Sequence, residues 1–323
     1  MRILHVTHSG GPDALMVGET TDPVPHGDQV IVAVHAAGVN HADLLQRAGR
    51  YPSPPGAPPW PGLEVSGEVV AVGPDAAWRV GDRVAALLDG GGYAELVAVR
   101  SGQVLPAPAT DLADAAALPE AACTVWSSLV TAAGLHADQT LLVHGGSGGI
   151  GTTAIQVAVA LGARVIATAG GPDRAARCAA LGADVVVDHR SQDFVEVALE
   201  ATGGRGVDVV LDVVGGAYLG RNVDVLATGG RLSVIGLQRG TRGELDLGAL
   251  LTKQAAVIGT LLRPRPHAEK AAIIADVVAN VWPMVADGRV RPVVHARLPL
   301  AEGARAHELL ESGEVFGKLV LVP

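Results

Sequence analysis

Apolar and polar positions change rhythm several times along the chain. Over the first hundred residues, short alternating or wholly apolar runs at 3–6, 29–36, 68–72, 83–86 and 94–99 are cut by Gly, Pro and Asp, the pattern of a β-rich region. Residues 40–48 carry a short helical or turn pattern between two of these runs. Residues 51–59, YPSPPGAPP, predict no regular structure, because each proline fixes φ and removes a donor; they read as a stiffened loop over an active site. From 111 to 134 the spacing turns helical. Strands then alternate with helices: apolar runs at 165–169, 185–188, 207–213, 230–235 and 256–261, helical patterns at 173–181, 191–201 and 217–226. That alternation predicts a doubly wound parallel sheet with right-handed crossovers. The tail changes again, with one long helical pattern over 266–288, a strand at 293–298, a helix at 300–312 and a last strand at 318–322. A sheet domain inserted between two parts of a β-rich domain accounts for this order, with the ligand cleft between them. The boundaries fall at 1–118, 119–262 and 263–323.

The centre of the pattern is the stretch 140–171. An apolar run, Leu141-Leu142-Val143, has the length and branching of a buried parallel strand. It breaks into Gly146-Ser147-Gly148-Gly149-Ile150-Gly151, which fits G-x-G-x-x-G, and a helical pattern follows to a stop at Gly162. In a strand–turn–helix–strand unit the glycines have separate jobs: the tight turn, backbone approach to a pyrophosphate, and helix-on-strand packing. The diphosphate would sit on the free N–H groups and positive dipole end of the new helix. A plain glycine-rich turn is the alternative reading.

Composition narrows the function. The 323 residues are 49% apolar and 3% aromatic, enough for two domains with sizeable cores. A net charge of −9 and the lack of any Lys/Arg block argue against a nucleic-acid surface. Two cysteines, Cys123 and Cys178, are too few for a disulfide framework and fit a reducing compartment. No signal-peptide pattern opens the chain and no apolar stretch reaches membrane length, so the expectation is a soluble cytoplasmic protein without a membrane or nucleic-acid partner.

The motifs Gly38-Val39-Asn40-His41-Ala42-Asp43, Tyr51-Pro52, Gly62-Leu63-Glu64-Val65-Ser66-Gly67, Val80-Gly81-Asp82-Arg83-Val84, Gly91-Gly92-Tyr93-Ala94-Glu95, Thr124-Val125-Trp126 and Gly317-Lys318 run through essentially the whole chain. In that order they resemble the medium-chain dehydrogenase/reductase superfamily, and within it the zinc-free NADPH:quinone oxidoreductases, the zeta-crystallin-like branch. The resemblance implies an α/β protein with a GroES-like β-rich catalytic domain, an inserted doubly wound Rossmann domain, and a homodimer. Zinc-dependent members of the superfamily have a Cys where this chain has Asn40, a His where it has Leu63, and a Cys or Glu near Glu120. Leu63 ligates nothing, and two cysteines cannot supply a four-cysteine zinc lobe, so no metal is expected.

For the cofactor, a carboxylate at the end of the second sheet strand would repel a 2′-phosphate; that place is Ala169-Gly170-Gly171 here. Arg174 is placed to bind the phosphate, unless it is only a solvated cation at a helix start. His189 stands where the family often has a Tyr for the same contact. NADPH is therefore the expected cofactor. Gly236, Leu237 and Leu262 are expected near the nicotinamide, and Lys318 to reach the cofactor, with a plain surface lysine as the alternative. The resemblance places Asn40, Asp43 and Tyr51 around the acceptor and Thr124 by the nicotinamide, with Trp60 lining the acceptor pocket. Asn40 and the Tyr51 hydroxyl are donors suited to a quinone oxygen, and Asp43 would orient Asn40 or relay a proton. Helix capping is the alternative for Asn40 and Asp43, and packing on the prolines for Tyr51. The expected function is NADPH-dependent hydride transfer to quinones. An alkenal or enone double-bond reductase is the alternative enzyme, and an NADPH-binding crystallin-like or RNA-binding protein the alternative of another class.

Overall fold

A computed structural model describes residues 1–323, which divide into two compact units. The first comprises Met1–Cys123, Leu262–Ala286 and Pro292–Pro323; the second comprises Thr124–Leu261 with Asp287–Arg291.

The first unit begins with the antiparallel pair β1 (Arg2–Val6) and β2 (Leu15–Glu19). Next come β3 (Gln29–Val39), helix α1 (His41–Arg47), β4 (Glu64–Val72), β5 (Arg83–Leu87), β6 (Leu96–Arg100), β7 (Val104–Pro106), and helices α2 (Leu112–Ala115) and α3 (Pro119–Val125). The proline-rich stretch between α1 and β4 forms bends and turns only, as fixed φ and missing donors require.

In the second unit a seven-residue π-helix (Trp126–Ala132) leads into β8 (Thr140–Val143). The order then runs α4 (Gly149–Ala160), β9 (Arg164–Ala169), α5 (Pro172–Ala180), β10 (Val185–Asp188), α6 (Phe194–Ala201), β11 (Val207–Asp212), α7 (Leu219–Val225), β12 (Leu226–Val234), α8 (Leu247–Lys253) and β13 (Ala256–Gly259). The six strands pair in parallel in the order β10-β9-β8-β11-β12-β13. The order reverses between β8 and β11, the crevice where such sheets bind ligands. Leu141, Leu142 and Val143 are all buried, since helices cover both faces of a parallel sheet. At the far edge, β13 leaves Ala256, Val257 and Gly259 exposed.

The chain then returns to the first unit with α9 (His267–Asn280), α10 (Trp282–Ala286), β14 (Val294–Pro299), α11 (Gly303–Glu311) and β15 (Lys318–Val322). The expected single helix over 266–288 is two helices: it breaks at Val281, and Pro283 cannot donate into a continuous ladder. The first unit's main sheet has the order β14-β15-β3-β4-β5-β7, with β6 also paired to β3. So β15, the last strand of the chain, lies antiparallel beside β3, one of the first.

Candidate functional site

The polar centre of the first unit gathers where β3 ends and α1 begins. Glu64, on β4, is fully excluded from solvent, and Lys318, on β15, is 5% exposed. The two form a buried ion pair. Asn40 bridges them: its Nδ2 donates to Glu64 Oε1 at 2.9 Å and its Oδ1 accepts from Lys318 Nζ at 2.6 Å. The backbone N–H of Glu120 donates to Glu64 Oε2 at 2.9 Å. A β-carbon on Gly38 would lie 2.3 Å from Glu64 Oε1, so bare backbone is required for the carboxylate to fit.

Asp43, also fully buried, accepts from the Asn40 N–H (2.8 Å), the Gly62 N–H (3.0 Å) and the Tyr93 hydroxyl (3.1 Å). Burial pushes its carboxyl up to about 6 against these three donors. Asp43 thus ties the start of α1 to the Gly62 turn. Behind it runs a polarised chain. Arg47 Nη1 lies 3.3 Å from His307 Nδ1, and His307 Nε2 lies 3.2 Å from the Tyr93 hydroxyl. A guanidinium only donates, so Nδ1 must accept and Nε2 carries the proton. Burial and Arg47 hold His307 neutral by lowering it to about 3.

The proline loop is fastened to the same unit. Gln46 Nε2 donates to Ser53 Oγ and to the Pro59 carbonyl, both at 3.0 Å. The Trp60 indole donates to the Gly91 carbonyl at 2.9 Å. Arg263 donates to the Asp89 carbonyl (2.8 Å) and Gln46 Oε1 (2.9 Å), and its guanidinium sits 5.1 Å from the Tyr51 ring centroid. Burial raises the Tyr51 hydroxyl above its ordinary value, with Arg263 opposing.

In the second unit, α4 starts at Gly149 with Gly148 as its cap. Residues 147–150 are partly exposed, so the unpaired N–H groups of the first turn are open to an anion. A β-carbon on Gly151 would fall 2.1 Å from the Gly145 carbonyl oxygen, which makes it the packing glycine of the fingerprint. The left-handed turn itself, φ +69°, is taken by Gly145, one residue before the motif as read from the sequence. Where β9 ends, a β-carbon on Gly170 would lie 3.2 Å from both Arg190 Nε and His189 Nε2. Asp188 spends Oδ1 on the N–H groups of Gly171 (2.9 Å) and Arg190 (3.1 Å), which hold its carboxyl below the usual carboxylate range. These residues fit a phosphorylated dinucleotide: open helix N–H groups, a glycine approach surface and cations at the second strand's end.

The expected residues fall into distinct groups. Asn40, Asp43, Tyr51 and Trp60 all belong to the first unit's polar centre and its loop. Lys318 is not a surface lysine; two of its donors are spent on Asn40 and Glu64. Leu262 is buried at 6% exposure, so its side chain is committed to packing. Thr124 is half-buried on α3, one turn after Glu120. Gly236 packs on the Val213 backbone, and Leu237 is exposed. Arg174 is half-buried in the first turn of α5, and His189 is exposed beside Gly170. Sequence reasoning missed Glu64 as the buried counter-ion, Glu120 as its neighbour, and Arg263 as the fastening of the loop. Arg190 was passed over for Arg174, although its position directly after His189 was a usable signal. No group of three or more His, Cys, Asp or Glu side chains is arranged to hold a metal ion, and Leu63 is buried.

The doubly wound sheet with its glycine elbow defines a dinucleotide-binding fold joined to a second, β-rich unit. Residues 26–109 match the alcohol dehydrogenase GroES-like domain, and residues 149–277 match the zinc-binding dehydrogenase domain. The chain is 32% identical over 327 residues to human quinone oxidoreductase, covering 100% of this chain and 98% of that one. Among solved structures it superposes on Escherichia coli quinone oxidoreductase complexed with NADPH at a TM-score of 0.89, with 30% identity and full coverage of both chains. A CurK enoyl reductase aligns at a TM-score of 0.86, with 25% identity, over 99% of this chain and 98% of that one. The chain belongs to the quinone oxidoreductase branch of the medium-chain dehydrogenase/reductase superfamily.

Proposed function

We propose that the protein is an NADPH-dependent reductase of quinones that works without a metal. The observation that carries the cofactor half is the end of β9: glycine backbone, Arg190 and His189 beside it, and the carboxylate of Asp188 tied to backbone N–H groups. A 2′-phosphate would meet the Arg190 guanidinium there, with one oxygen of the Asp188 carboxylate already tied to backbone N–H groups. A reduced nicotinamide, when bound, supplies the hydride. The residues of the first unit hold and polarise the acceptor: Tyr51 offers an uncommitted hydroxyl, and Asn40 keeps one amide N–H beyond its bond to Glu64. Metal independence is supported by the donor set, since Asn40, Leu63 and Glu120 make a poor zinc triad.

An enone or alkenal reductase is the second reading, favoured by the likeness to the CurK enoyl reductase. A homodimer formed through the exposed β13 edge would cover an otherwise open row of backbone donors and acceptors; a concentration-independent monomer mass in sedimentation would refute it. A reducing, cytoplasmic setting suits two cysteines that form no disulfide.

The deciding assay follows nucleotide oxidation with an ortho-quinone and an α,β-unsaturated ketone side by side. Faster turnover of the quinone, with NADPH preferred over NADH, is expected. Preference for NADH, or tight NADPH binding with no turnover of either acceptor, would overturn the proposal.

A further inference from the structure

Gly145 makes the left-handed turn of the elbow, and glycine loses more freedom than any other residue when it is fixed in one conformation. Both of its backbone groups are held. Its carbonyl accepts from the Gly148 N–H at 3.0 Å, and its own N–H donates to Thr168 Oγ1 at 3.2 Å. Thr168, on β9, is buried, and its carbonyl accepts from the Gly146 N–H at 2.8 Å. The Thr168 hydroxyl lies 3.3 Å from Nδ1 of His144, and His144 Nε2 lies 2.8 Å from Asn222 Oδ1, on α7. An amide oxygen only accepts, so Nε2 carries the imidazole proton and Nδ1 accepts from the Thr168 hydroxyl. Burial lowers the ring to about 4, which leaves Nδ1 unprotonated at neutral pH. The bonds therefore run head to tail from the Gly145 N–H through Thr168 and His144 to Asn222, each polarising the next.

The far end of this chain is fixed by packing. The His144 ring makes T-shaped contacts with Phe194 and Tyr218, at 4.7 Å and 5.0 Å between centroids. Arg221 lies over the Phe194 ring at 4.3 Å and pairs with Asp193 at 2.8 Å. Asn222 is fully buried, and its Nδ2 has no acceptor. An unpaired buried donor destabilises the fold, and an apolar side chain at 222 would avoid that loss. What the amide adds is its hold on His144.

We propose that Thr168 and His144 are positioning residues for the dinucleotide, holding Gly145 so that the N–H groups at the start of α4 are aimed at the pyrophosphate. The inference rests on the reading of the second unit as a dinucleotide site. Both side chains act through the Gly145 backbone. The pyrophosphate is common to NADPH and NADH, so their influence must be the same for both, unlike that of the cations at the end of β9.

The test is Thr168→Val, which keeps the shape of the side chain and removes its hydroxyl. Dissociation constants for NADPH and NADH, titrated by nucleotide fluorescence, should both rise by about 5–30-fold and by the same factor. Thr168→Ser returns the oxygen and should bring both to within about threefold of the wild type. His144→Leu should weaken both by less than Thr168→Val does, because the Thr168 oxygen remains. Amide exchange at Gly145, read without nucleotide, should quicken by about tenfold or more in Thr168→Val and not in Thr168→Ser. Val207→Ala opens a cavity in the same core at the start of β11, the end of the sheet away from the elbow. It should lower the denaturant midpoint and leave both constants unchanged. Unchanged affinity or exchange in Thr168→Val, a loss confined to NADPH, a loss that Thr168→Ser does not restore, or an equal loss in Val207→Ala overturns the positioning role. A wild type that binds neither nucleotide overturns the dinucleotide reading and the proposal with it, so the wild-type titration tells the two failures apart.

Discussion

Replacing Lys318 by Met probes the polar centre directly. The change keeps the length of an apolar stem but removes the one cation facing a carboxylate that water cannot reach. Glu64 would keep the Asn40 amide and the Glu120 N–H, two neutral donors at 2.9 Å each. Breaking a buried pair by deleting one partner typically costs about 3–5 kcal/mol, more than an exposed pair ever supplies. For a chain of this size, at roughly 2–4 °C per kcal/mol, the melting temperature should fall by on the order of 10 °C. Urea unfolding monitored by tryptophan fluorescence is well suited, because Trp60, Trp78 and Trp282 all lie in the first unit. The double variant Glu64→Gln with Lys318→Met removes both charges and should recover part of the loss, with a coupling of about 0.5–3 kcal/mol. A single variant that loses less than about 1 kcal/mol, or a double variant no better than the single, would refute the reasoning.

Arg190→Ala should raise the Michaelis constant for NADPH by about 10–100-fold, the equivalent of roughly 1.5–3 kcal/mol for a charged hydrogen bond, and leave that for NADH within about twofold. Arg174→Ala, made alongside it, should show the same selectivity if both guanidinium groups share the phosphate; equal effects on both nucleotides would remove either residue from that role. Tyr51→Phe should lower quinone turnover by at most about two decades, because orientation carries most of that reaction and the hydroxyl is one donor among several. Complete loss of turnover in a folded, NADPH-binding Tyr51→Phe protein would show the hydroxyl to be indispensable.

The parallel strands were legible because burial on both faces writes an unbroken apolar run, as at Leu141–Val143, and the elbow because glycine alone fits under the Gly145 carbonyl. Short elements were harder. β2, Leu15–Glu19, reads LMVGE, and only Leu15 in it is buried, which leaves little periodicity to find. α8, at Leu247–Lys253, is exposed enough to carry no apolar stripe, although Asp246 capping the N–H groups of Gly248 and Ala249 was a local signal. The site divides along similar lines. Asn40 and Asp43 stand out because their own neighbours in sequence explain them. The counter-ion of Glu64 lies 254 positions further on, and no local pattern announces a partner at that distance. Glu120 looks like an ordinary first-turn acid until the fold brings Glu64 to its N–H.

The interleaving of β15 with β3 has a consequence for how the protein is made. A nascent chain emerges with β3 and β4 long before Lys318 exists, so Glu64 has no cation and β3 has a bare flank. The inserted unit, by contrast, draws nearly all of its residues from one continuous stretch and can finish on the ribosome. The first unit closes only once β15 has been made. Loss of the stretch from Lys318 onward would therefore leave the Glu64 carboxylate without its cation in the interior, and quality control should find such truncated chains by their failure to mature rather than by a missing activity.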